Sequence, residues 1–199
     1  HTPTRRQRQM CIRDRAYAAY GIGVQILSFS FVIGFGFSIA GATLVGQHLG
    51  AKNKNQAKRA GWGAMRLSIV SMTFFGVIIA TFAEPLARFM IDNDEVVRLT
   101  VIFIWLLGSM QPLMAIEFSL GGALRGAGDT KTPLAITLTC LLFIRVFLAV
   151  IFFLLDASIE IIFSTLLADY IVKGFLYVSR FRSDKWMNVL KIKEVDQQP

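Results

Sequence analysis

Charge is scarce where a soluble chain would carry it. No Lys, Arg, Asp or Glu occurs between Arg15 and His48, and charged residues make up 17% of the chain, against about 25% in ordinary soluble domains. Cysteine is nearly absent: Cys11 and Cys140 form no CxxC pattern and no disulfide framework, which argues against a disulfide-stapled fold and a thiolate metal site. There is no HExxH, no Ser nucleophile elbow and no aspartate pair, so no catalytic residue and no metal site is expected, and no cofactor is called for. No apolar leader precedes the first long run, so His1–Arg15 is not a signal peptide. Although the net charge is +8, no RNP-like, zinc-finger or basic-zipper pattern accompanies it, and nucleic acid is not expected as a partner.

Apolar residue is what the chain has in excess, at 54% with a mean hydropathy of +0.55. The apolar residues fall into runs of the roughly 20 residues that a helix needs to cross a bilayer. Five such runs are expected, at about 16–49, 67–83, 99–124, 133–155 and 159–178, followed by a polar tail over 181–199. The fold class is therefore all-α, a polytopic membrane helical bundle whose environment is the lipid bilayer. Gly34 and Gly36 are positioned to bend the long first run, Gly50 to stop it, and Glu84-Pro85 to end the second. Small residues at Ser38, Ala40, Gly41 and Ala42 suit close helix contact in lipid.

The loop charges provide a separate check on this segmentation. Lys52, Lys54, Lys58, Arg59 and Arg66 lie in or beside the first loop. The second has Arg88 and Arg98 among Glu84, Asp92, Asp94 and Glu95. The third has Arg125 and Lys131, the fourth only the acids Asp156 and Glu160, and the tail is basic again. Alternation of basic and non-basic loops is the positive-inside pattern, and it places the first and third loops and the tail in the cytoplasm.

The segment before the first run, Arg5-Arg6-Gln7-Arg8-Gln9-Met10-Cys11-Ile12-Arg13-Asp14, resembles a translated frame of the transposase adapter used in sequencing. Residues 1–15 are accordingly expected to be an adapter-derived extension, and the chain a fragment.

A charge inside a bilayer costs about 2.5–3.5 kcal/mol on insertion scales and is a functional candidate by default. Glu117, in the third run, is the clearest ion- or substrate-binding candidate. Arg145, deep in the fourth, needs a partner, with Glu117 or Asp169 available; Asp169 itself lies in the fifth, and Gln25 and Gln111 are uncharged groups suited to lining a cavity. In the turn Leu124-Arg125-Gly126-Ala127-Gly128-Asp129-Thr130-Lys131-Thr132-Pro133, the glycines suit positive-φ or close-packed positions. Thr132 is placed to cap the next helix with Pro133 in its first turn, and Arg125 and Asp129 are spaced to pair.

Three segments, in this order, resemble the multidrug and toxic compound extrusion family of cation-coupled exporters: "LVGQHLGA" at Leu44–Ala51, "LRGAGDTKTP" at Leu124–Pro133 and "RFRSDKW" at Arg180–Trp186. The resemblance covers about Ala16 to Leu190. It implies the eighth to twelfth helices of a twelve-helix transporter, with the amino-terminal half of the same protein as the missing partner. It also implies an inner-membrane antiporter that exchanges Na⁺ or H⁺ for a small organic cation or other amphipathic substrate, with Asp129 as a further coupling candidate. A fragment of this kind is not expected to transport alone. A lipid-linked oligosaccharide flippase of the same superfamily is the alternative; an intramembrane enzyme and a membrane scaffold rank lower.

Overall fold

The computed structural model describes the backbone of residues 5–90, 93–154 and 159–188, and the side chains within these from residue 21 onward, except those of 26, 27, 149, 153 and 159–164. The expected break at Asp156 and the tail beyond residue 188 lie outside the described residues, as do the side chains of the adapter-like segment. Among the described residues there is helix and turn but no strand. The helices are α1 (Arg5–Gly50), α2 (Lys54–Thr81), α3 (Ala83–Met90), α4 (Asp94–Gly126), α5 (Lys131–Thr139), α6 (Phe147–Leu154) and α7 (Ile159–Arg182). A π-helical segment, Cys140–Val146, joins α5 to α6, and a 3₁₀ turn, Lys185–Asn188, follows α7.

Four helical stretches are long and apolar enough to cross a membrane: Gly21–Gly50, Lys54–Thr81, Asp94–Gly126 and Lys131–Phe152. Each overlaps one of the first four expected runs. The fifth lies within α7, which carries Asp169 and Lys173 in its apolar stretch. The chain is thus a helical membrane bundle. Exposed Phe29, Val32, Leu67, Val70, Phe143 and Phe147 fit this solvent, because lipid tails are as apolar as the side chains they meet.

Several local expectations are corrected. α1 runs unbroken through Gly34 and Gly36, and Gly34 lies against the Phe118 ring, where a Cβ would come within 2.7 Å. α1 ends at Gly50, as expected, although Gly50 is not the residue that reverses the chain. The left-handed residue is Lys52 (φ 56°), with Lys52 N–H bonded to Leu49 O at 2.9 Å and Asn53 N–H to His48 O at 2.9 Å, a Schellman closure. Asn53 then opens α2, its Oδ1 accepting from Gln56 N–H. Glu84-Pro85 does not end the second helix, which stops at Thr81; Pro85 sits in the first turn of α3, where a missing N–H costs nothing. Pro112 lies inside α4 without ending it.

The chain divides into two compact units, His1–Phe31 with Thr73–Gln111, and Val32–Met72 with Pro112–Pro199. In the first, Ala83 and Ile104 form a small core with Ile22, Ile79, Leu86 and Val101. Gly76 leaves room for Gln111, whose Cγ would be 2.7 Å from a Cβ at that glycine. Arg88 bonds Glu84 at 3.0 Å and Asp94 at 2.9 Å across the α3–α4 connection.

The second unit holds the larger core: Val45, Ala57, Leu120, Ala123, Leu124, Ala127, Tyr177, Phe181 and Trp186. Its tightest seam joins α1 to α4. A Cβ at Gly122 would overlap the Ser38 backbone, and one at Gly126 the Ala42 backbone. Ser38 and Ala42, like Gly122 and Gly126, are one helical turn apart, so two small-residue stripes meet backbone to backbone, the packing that substitutes in lipid for a hydrophobic driving force. Of the tail expected from residue 181, Phe181 and Trp186 belong to this core: Phe181 stacks on Trp186 with centroids 4.6 Å apart, and Trp186 Nε1 donates to Phe181 O at 2.9 Å.

Candidate functional site

α7 places Thr165, Asp169, Lys173, Tyr177 and Phe181 at successive i, i+4 positions, and all five are buried. The lower part of this stripe is apolar core. The upper part is charged. Lys173 Nζ lies 3.0 Å from Asp169 Oδ2 and 3.6 Å from Glu117 Oε1 on α4, and 5.2 Å from the centre of the Tyr170 ring. Asp169 is 0% exposed, and neither of its carboxylate oxygens accepts a hydrogen bond among the described residues; the contact with Lys173 is an ion pair without hydrogen-bond alignment. Two carboxylates therefore share one ammonium, leaving one formal negative charge in excess between Asp169, which is fully buried, and Glu117, whose side chain is 20% exposed. Such a charge is costly in a low-dielectric interior and is relieved by binding a cation or a proton.

Glu117 and Asp169 are thus brought together, by a residue that sequence reasoning did not single out. Lys173 had a legible signal: it stands four residues after Asp169 in a run with no other charge between Ile161 and Val178, the spacing of an intrahelical ion pair. The expected pairing of Arg145 with Glu117 or Asp169 does not form. Lys173 occupies both acids from α7, and Arg145, half-buried in the π segment, makes no ion pair among the described residues. Gln25 is exposed, its backbone O accepting from Ser28 Oγ. Gln111 is 1% exposed and its Oε1 has no hydrogen-bond partner among the described residues. Both glutamines belong to the first compact unit.

Asp129 lies elsewhere, in the α4–α5 turn. That turn is a second Schellman closure, with Gly128 at φ 83°, Gly128 N–H on Arg125 O and Asp129 N–H on Leu124 O, each at 3.0 Å. The N-cap position of α5 is Thr130, and the side-chain acceptor for its first turn comes from Asp129 rather than Thr132: Oδ1 accepts from Thr132 N–H at 3.3 Å and from Thr132 Oγ1 at 2.7 Å. The expected Arg125–Asp129 pair is also replaced. Arg125 Nη2 donates to Ser38 Oγ at 2.8 Å, while Asp129 Oδ2 receives Arg180 Nε at 3.0 Å and Nη2 at 2.6 Å. The reversal of the chain at Gly128 directs Asp129 toward α7 and away from the last turn of α4. Burial pushes the Asp129 carboxyl upward, but the hydrogen bonds from Arg180 and Thr132 outweigh it and hold the group below the ordinary carboxylate value.

A bundle of membrane-length helices with a largely buried charge cluster between two of them defines a polytopic membrane protein in class. Comparison with known proteins narrows this. The MatE family model matches residues 12–151. Over 180 residues the chain is 35% identical to a Thermotoga maritima protein named "Probable multidrug resistance protein NorM", covering 86% of this chain and 37% of that protein. Proteins of the same name from Mesorhizobium japonicum and Mannheimia succiniciproducens are 32% and 30% identical over 59% and 63% of the chain, and 26% and 27% of their own lengths. The chain belongs to the MatE family of multidrug and toxic compound extrusion transporters, and spans little more than a third of the length of the Thermotoga relative.

Proposed function

We propose that the intact protein is a cation-coupled antiporter of the cell's inner membrane. It exports organic cations or other amphipathic compounds against an inward flow of Na⁺ or H⁺, with the end of this chain in the cytoplasm. The names of the relatives support multidrug efflux as the activity, and the family is one of transporters rather than enzymes. The observation that carries the coupling is the buried Glu117–Lys173–Asp169 cluster with its one excess negative charge. In this reading Lys173 is the resident counter-ion and the cluster takes up one further positive charge. A proton, Na⁺ or a cationic substrate supplies that charge in turn, so the inward and outward passengers compete. The two arrangements of the bundle expose the same cluster to opposite sides. A lipid-linked oligosaccharide ligand is anionic and would meet an uncompensated negative charge here, which favours the antiporter over the flippase.

The test is made on full-length protein in proteoliposomes. An imposed pH or Na⁺ gradient should drive accumulation of a fluorescent organic cation such as ethidium, and Glu117→Gln should abolish the gradient dependence while the protein still elutes as a folded monodisperse species. Undiminished gradient-driven uptake by Glu117→Gln would overturn the assignment of the coupling to this cluster.

A further inference from the structure

The amino-terminal part of α2 carries an open groove of about 620 Å³ lined by Lys58, Arg59, Trp62 and Arg66, and an adjoining recess of about 370 Å³ that adds Arg182 from the end of α7. One of these cations is compensated: Lys58 Nζ is 2.7 Å from Asp184 Oδ2. Arg59, Arg66 and Arg182 make no ion pair among the described residues and are exposed. Trp62 is held at the base of the groove by an edge-on contact with Phe181, centroids 5.3 Å apart.

The register of α2 matters as much as its charge. Arg59, Gly63, Arg66 and Val70 follow at steps of four, three and four, so they share one helix face. That face changes from cationic to apolar within one turn: Arg66 is followed by Leu67, 59% exposed, and Val70, 67% exposed. Two arginines with a tryptophan between them, followed by exposed aliphatic side chains along a membrane helix, mark a water–lipid boundary. A free anion would use the arginines alone. A molecule with an anionic head and an apolar tail uses the whole stripe.

The geometry points to a binding site for one anionic phospholipid. Its phosphate lies between Arg59, Arg66 and Arg182, where the planar guanidinium fork matches phosphate oxygens. Its acyl chains lie along Leu67 and Val70, and Trp62 sits at the level of the headgroup. This site is separate from the Glu117–Lys173–Asp169 cluster and does not depend on the antiport reading.

The experiment uses purified full-length protein in a neutral detergent, titrated with phosphatidylglycerol, with phosphatidylcholine and with inorganic phosphate, and read by native mass spectrometry and thermal melting. Phosphatidylglycerol should bind and raise the melting temperature, phosphatidylcholine should bind more weakly, and inorganic phosphate alone should not reproduce the shift. Each of Arg59→Gln, Arg66→Gln and Arg182→Gln should weaken phosphatidylglycerol binding about fivefold, and the charge-keeping triple variant Arg59→Lys/Arg66→Lys/Arg182→Lys should retain only the part of it that charge alone supplies. Equal binding of the two lipids, an equal shift from inorganic phosphate, or unchanged phosphatidylglycerol binding in all three single variants would overturn the site. The single variants remove exposed side chains that make no ion pair among the described residues, so folding is not at stake in them.

Discussion

Arg180 directs both Nε and Nη2 at a single oxygen of Asp129, Oδ2, at 3.0 and 2.6 Å. The pair ties the end of α7 to the α4–α5 turn, and the other Asp129 oxygen is the side-chain acceptor for the first turn of α5. One carboxylate therefore closes a turn and anchors a helix fifty-one residues away in the chain.

Removing that carboxylate charge should loosen the turn without touching the buried cluster. Asp129→Asn keeps an acceptor for Thr132 but loses the charge that Arg180 needs, and is expected to lower stability by about 2 kcal/mol. Thermal melting of the full-length protein in detergent measures this. Because the folded carboxyl titrates below its unfolded value, the contribution is fully present above the ordinary aspartate range near pH 4 and fades as pH falls through the lowered value. The wild-type and Asp129→Asn melting curves should therefore stay a constant distance apart from pH 8 to pH 5 and converge only in stronger acid.

The two acids and one base of the cluster should behave non-additively. Lys173→Gln strands two buried carboxylates and is expected to cost about 3–5 kcal/mol. Lys173→Gln combined with Asp169→Asn removes the ion pair from both sides and should be distinctly milder than Lys173→Gln alone. A double-mutant cycle by thermal or denaturant unfolding checks this, and simple addition of the two single effects would show that Lys173 and Asp169 are not energetically coupled.

The α1–α4 seam predicts a sharp contrast between glycines of similar sequence context. Gly126→Ala drives a methyl into the Ala42 backbone, which cannot turn aside as a side chain can, and should cost about 1–3 kcal/mol or prevent folding. Gly36→Ala meets nothing within 4 Å and should fall within about 0.5 kcal/mol of wild type. Yield of monodisperse protein and its melting temperature distinguish them.

The two Schellman closures predict opposite signs for opposite substitutions. Lys52 holds φ 56° with a side chain attached, so Lys52→Gly should stabilise by about 1 kcal/mol. Gly128 holds φ 83°, and Gly128→Ala should destabilise by a similar amount. Denaturant titration of each variant beside wild type reads both signs.

The sequence alone determined what depends on one-dimensional pattern. Runs of apolar residue long enough to cross a bilayer, the absence of charge between Arg15 and His48, and the ordered motifs at Leu44, Leu124 and Arg180 suffice for a helical membrane bundle of this family, because a bilayer demands length and apolarity before it demands any particular contact. Glu117 and Asp169 were legible as charges in apolar runs for the same reason. Tertiary structure decided the partners. Arg125 and Asp129 are four apart and should meet by helical spacing, yet Gly128 reverses the chain between them and sends one to Ser38 and the other to Arg180. Arg145 should have found an acid, yet Lys173 reaches both Asp169 and Glu117 from one turn along α7. Trp186 reads as part of a polar tail, yet it is fully buried against Phe181 because the chain turns back after α7. Spacing sets which residues share a helix face; only the packing of one helix on another sets which face meets which.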